Sequence, residues 1–168
     1  MGYTTDFHGT FRLDKPLKPE HKAYLEKFSE TRRMRRHAHL TQSLPDPIRE
    51  AVGLPVGDDG AYYVGAGGDF GQEHAKDVKD YNYSPAGQPG LWCQWVPTHD
   101  GKGLEWNGSE KFYNYVEWLG YLIQNFLAPW GYRLSGEVEW QGEESHDLGK
   151  IVVKNNKVST LEGKITYG

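Results

Sequence analysis

Apolar and polar residues alternate along TDFHGTFRL, which predicts a strand with Phe7, Gly9, Phe11 and Leu13 on one face. Asp6, His8, Thr10 and Arg12 then occupy the other. Asp14, Pro16 and Pro19 punctuate the chain. Pro19 suits a first helical turn, and Tyr24, Leu25 and Phe28 form an apolar stripe, predicting a helix over about 19–35. Asp46 and Pro47 open a short helix carrying Ile48 and Val52, stopped by Gly53 and Pro55. AYYVGAG reads as a strand running into glycines, and the polar, glycine-rich segment 65–90 reads as a long loop. Leu91–Val96 and Leu104–Trp106 form a predicted hairpin around Asp100-Gly101. Asn107 and Glu110 have the spacing of a capping box, opening a predicted helix over about 109–128 whose wide apolar face implies burial on more than one side. YRLSGEVEW, KIVVKNNKVST and the tail read as a strand meander, with Asn155-Asn156 as a turn that tolerates positive φ.

Strands and helices interleave, so the expected class is α+β. The prediction is a single domain over 1–168 with a mainly antiparallel sheet and two main helices on one face; a ferredoxin-like core is one wiring that fits. A length of 168 residues suits one core, and aromatics at 14 % supply large buried areas. The net charge of −4, with neither half of the chain basic, excludes extended nucleic acid as a partner. One cysteine excludes an internal disulfide and fits a reducing compartment. The chain shows no apolar run long enough for a membrane span and no secretory start, so a cytoplasmic location is expected.

The strongest local charge is RRMRRHAHLT. Arg32, Arg33, Arg35 and Arg36, with His39, could bind phosphate or carboxylate through guanidinium forks. The plainer reading is a solvated run of cations complementing a helix C-terminus, and a helical turn would keep the four from converging. His37 and His39 make a poor metal pair beside four arginines. Glu143, Glu144, His146 and Asp147 match no calcium or zinc spacing, so neither metal nor cofactor is expected. In GAGGDFG, Phe70 stands where a dinucleotide fingerprint needs its third glycine, which rejects that reading and leaves only a loop whose amides could meet an anion. Cys93, between two tryptophans, reads as a buried inert thiol.

The element His-x-Thr occurs twice, at His8-Gly9-Thr10 and His39-Leu40-Thr41. On strands, each pair would present an imidazole and a hydroxyl on one face. In those residues the chain resembles the 2H phosphoesterases, which implies an acid–base histidine pair; the second copy lacks a strand pattern.

All tryptophans lie between residues 92 and 140. In the strand around Cys93, Trp95 falls on one face and Trp92 with Gln94 on the other. Trp95 is therefore assigned to the core, and Trp92 with Gln94 to an exposed stacking platform. GQPGLWCQWVP, the LEW turn, EKFYNYVEW and GEVEWQGE resemble a widespread family of short actinobacterial and bacteriophage proteins without an assigned activity. The resemblance implies a bacterial cytoplasm and a phage-related role. The favoured expectation is a non-catalytic binding protein for a phosphate-bearing, nucleotide-type small molecule or a host protein. Its ligand groups would be Arg32, Arg33, Arg35, Arg36, His39, Trp92 and Gln94. The alternatives are a phosphodiesterase using His8, Thr10, His39 and Thr41, and a homodimeric interaction module built on the second apolar face of helix 109–128.

Overall fold

The computed structural model describes residues 2–66 and 76–164. In chain order its elements are β1 (Thr5–Leu13), α1 (Pro19–Glu30), β2 (Arg35–Arg36), α2 (Ala38–Thr41), α3 (Pro47–Ala51) and β3 (Val78–Asp80). There follow β4 (Trp95–Pro97), β5 (Gly103–Trp106), α4 (Tyr115–Leu122), β6 (Leu134–Gly142), β7 (Leu148–Lys154) and β8 (Lys157–Glu162). The fold is α+β. Its contacts divide the chain into two compact units: Met1–Leu17 with Gln94–Gly168, and Lys18–Cys93.

The first unit is a six-stranded sheet in the order β4-β5-β1-β6-β7-β8, with every neighbouring pair antiparallel. The four strands β4-β5-β1-β6 have the neighbour order of a ferredoxin-like sheet, and β7 and β8 extend it as a meander. Alternation along β1 sorts its faces as the pattern predicts. Phe7, Phe11 and Leu13 are buried, while Asp6, His8, Thr10 and Arg12 are exposed. On the buried face, Phe7 makes edge contacts with Trp95, Trp106, Phe112 and Tyr115 at centroid distances of 4.9–5.8 Å. The Trp95 indole donates to the Tyr115 carbonyl at 2.8 Å, so its one polar atom is satisfied on burial. Asn155 and Asn156 both adopt positive φ in the β7–β8 turn, as that pair permits.

The helix predicted over 109–128 is shorter at its start. Lys111 and Asn114 take positive φ, and the Asn107 side chain accepts from the Ser109 amide, closing a local turn instead of a capping box. The helix begins at Tyr115 and passes into a π-helical turn at Ile123–Leu127, where the Ala128 amide reaches the Ile123 carbonyl. The ladder of the first hairpin strand is also shorter than predicted, since Leu91–Gln94 lies before it.

In the Lys18–Cys93 unit, α1 ends at Glu30, five residues before the predicted boundary. The Thr31 hydroxyl bonds the Lys27 carbonyl and Thr31 itself turns extended. The arginines that follow therefore leave the helix. The segment predicted as a strand, AYYVGAG, is irregular through Ala66, and Gly67 lies outside the described residues. Its backbone groups are bonded by side chains instead of a ladder: Arg33 takes the Ala61 and Tyr63 carbonyls, and Asp46 takes the Val64 and Gly65 amides. Within the predicted loop 65–90, β3 pairs antiparallel with β2.

Candidate functional site

The four clustered arginines are engaged with their own unit. Arg33 is 2 % exposed and donates to Tyr63 O at 2.8 Å, Ala61 O at 2.7 Å and Gln88 Oε1 at 3.4 Å, with its guanidinium 4.2 Å from the Phe28 ring centre. Arg36 pairs with buried Asp77 at 2.7 Å and lies over Tyr63. Arg32 stacks on Tyr81 and donates to its carbonyl, and Arg35 donates to the Ser84 carbonyl. An extended chain, not a helix, spreads these side chains in different directions. They tie the segments around residues 61–63 and 77–88 to β2, which sequence spacing cannot reveal because the partners are mostly backbone carbonyls.

The second His-x-Thr copy lies in α2, so its two side chains do not share a strand face. His39 is exposed, whereas Thr41 is buried and its hydroxyl bonds Asp77 Oδ2 and His37 O. The first copy sits on β1 in the other unit, with His8 and Thr10 both exposed. The stacking platform is also differently built. Trp92 is half-buried, and Gln94 is buried, donating to Glu110 O and accepting from Trp106 Nε1. Cys93 is buried.

The acidic loop after β6 is a latch. Asp147 accepts from Tyr3 Oη at 2.7 Å and from Trp140 Nε1 at 3.0 Å, and Glu143 accepts from the Thr4 amide. The bond to Asp147 raises the Tyr3 phenol above its ordinary range. No group of three or more His, Cys, Asp or Glu that could hold a metal occurs among the described residues.

The open face of the six-stranded sheet is where exposed chemistry collects. Register places His8 opposite Glu139, Glu139 opposite Lys150 and Lys150 opposite Leu161, forming one row across β1, β6, β7 and β8. This row crosses a hollow of about 500 Å³ whose apolar wall includes Leu148 and Leu161, the latter 59 % exposed. The size falls within the range of small-ligand sites. His8 and Glu139 form no ion pair among the described residues, while Lys150 reaches Glu137 at 3.5 Å. In register, Glu139 of β6 stands between His8 of β1 and Lys150 of β7, as cross-strand pairing favours, and β1 also carries Asp6 and Arg12 on this face.

Sequence reasoning named His8 and Thr10 but missed Glu139, Lys150, Leu148 and Leu161. The period-2 alternation of EVEWQ was the available signal. It marks Glu137, Glu139 and Gln141 as outward, but it does not say which residues of other strands stand beside them.

Neither the family models nor the curated proteins nor the solved structures yield a match to this chain.

Proposed function

We propose that the protein is a non-catalytic binding protein whose ligand seat is the hollow on the open face of the β1-β6-β7-β8 sheet. The observation that carries this reading is the row His8–Glu139–Lys150–Leu161, where two basic groups and an acid border an apolar wall. Such a seat suits a ligand with an apolar body and both signs of charge. Glu139 and Glu162 line the hollow with His8 and Lys150, so a zwitterionic, peptide-like ligand fits better than a polyphosphate. This supports the protein-partner branch of the functional expectation over the nucleotide branch, because the clustered arginines are engaged by carbonyls and by the Asp77 carboxylate of their own unit.

The test is an amide-resolved NMR titration of the whole chain with short peptides of mixed charge and with nucleoside monophosphates. The expected result is saturable shifts at His8, Gln141, Lys150 and Leu161 with a peptide, lost in Leu161→Asp. Shifts centred on Arg32–Arg36, or no saturable shift with any member, would overturn the reading.

A further inference from the structure

Six arginines donate from the guanidinium to a partner: Arg32, Arg33, Arg35, Arg36, Arg49 and Arg133. Arg12 is the exception. It stands exposed on the open face of β1, and among the described residues it has neither a hydrogen-bond partner nor an ion pair. The strands on either side give it room, because its neighbours in register are Gly103 on β5 and Ser135 on β6. Gly103 is held to glycine by close approach: a Cβ there would collide with the Phe11 carbonyl and crowd Thr10 Cγ2. The result is a second hollow of about 680 Å³, in which Thr10, Arg12, His99 and Lys102 supply hydrogen-bond donors.

From this we infer an oxyanion-binding subsite centred on the Arg12 guanidinium, taking a single carboxylate or phosphate group. A guanidinium without an internal partner presents its fork to the ligand, and Thr10, two residues away on the same strand face, adds a hydroxyl. The acids on the rim set the selectivity. Asp100 is tied into its turn, accepting from the Thr98 hydroxyl at 2.7 Å and the Lys102 amide at 3.0 Å. Glu105 also lines the hollow and is not paired with Arg12. These two carboxylates offset Arg12 and Lys102, so a chain of phosphates gains nothing over a single group. The subsite is distinct from the hollow around Leu161 and does not depend on that seat being occupied.

The test titrates the intact chain with sodium acetate, inorganic phosphate and tripolyphosphate at constant ionic strength, following backbone amides by NMR. Saturable shifts at Thr10, Arg12, His99 and Gly103 are expected with acetate or phosphate, with tripolyphosphate binding no more tightly than phosphate. Preference for phosphate over acetate assigns a phosphate source, and the reverse a carboxylate source. Arg12→Gln should weaken binding at least tenfold, while Arg35→Gln leaves it unchanged. Glu105→Gln should tighten it severalfold, a gain that a poorly folded variant cannot imitate. Non-saturable shifts, shifts that persist in Arg12→Gln, tighter binding of tripolyphosphate, or no gain in Glu105→Gln would overturn the inference. Failure here with success at Leu161 would leave the peptide seat standing.

Discussion

In the Lys18–Cys93 unit, buried positions include Arg33, Arg36, Arg49, Asp46 and Asp77; in the sheet unit they are held by Phe11, Trp95, Phe112, Trp118 and Trp140. One unit satisfies irregular backbone with buried ions. The other packs aromatic edges against faces along a regular ladder whose backbone is already satisfied. The contrast redirects the search for function. An arginine cluster draws the eye in a sequence, yet here its charges are structural, and among the described residues His8, Arg12 and Glu139 stand without ion-pair partners on the face of the regular sheet. A charge marks a binding surface when its own fold leaves it without a partner.

The largest effects should come from breaking each unit in its own currency of interaction. Asp46 is 0 % exposed, pairs with Arg49 at 2.6 Å and accepts two backbone amides. Asp46→Ala leaves a buried guanidinium and those amides without their acceptor, a loss of about 3–5 kcal/mol in urea unfolding. Trp95→Ala should cost about as much, roughly 3–5 kcal/mol, through an unfilled cavity. Rescue separates the two. Trp95→Phe recovers most of the aromatic packing, whereas Asp46→Leu with Arg49→Met recovers only part, because the Val64 and Gly65 amides still lack an acceptor. If the double variant were as stable as the wild type, the buried ions would be dispensable and the contrast between the units would collapse.

A smaller effect tests the aromatic unit by pH. Burial, followed by the nearby charges of Asp147 and Glu117, pushes the Tyr115 phenol from 10.0 up to about 12. A raised folded-state value means that the unfolded chain loses this proton first. Stability from Tyr115 is therefore complete below about pH 10 and falls as pH rises toward 12. Tyr115→Phe should flatten that part of the stability profile and remove one late-ionising phenol from the ultraviolet titration, leaving that of Tyr3. A profile that declines identically in Tyr115→Phe would remove Tyr115 as the cause.

Much of the sheet unit could be read from local pattern, because its determinants are local. Alternation in TDFHGTFRL sorted the faces of β1, Asn155-Asn156 announced its turn, and Trp95 was placed in the core. The Lys18–Cys93 unit resisted because its determinants are distant. Arg33 bonds carbonyls 28 and 30 residues away, and Arg36 meets Asp77 41 residues away, so helical periodicity through Arg35 was overridden by tertiary bonds. The candidate seat was half legible. Each of His8, Glu139 and Lys150 could be assigned outward, but their adjacency depends on the register of two strand pairs, and that of Leu161 on a third, which no single stretch encodes.

The smallest structural effect should accompany the most informative functional one. Leu161 is 59 % exposed on the edge strand β8, so Leu161→Asp removes little buried area and should change stability by no more than about 0.5 kcal/mol. In the row His8–Glu139–Lys150–Leu161, however, it supplies the apolar end, and an aspartate there puts a charge on the wall that would contact a ligand body. The substitution should leave the urea midpoint almost unmoved while abolishing saturable peptide shifts at His8 and Lys150. A matched pair, Leu161→Met, keeps the apolar wall and should keep binding within a few-fold. If Leu161→Asp destabilised the fold as Asp46→Ala does, Leu161 would belong to the sheet's packing. If it changed neither stability nor binding, the hollow would be ordinary solvated surface.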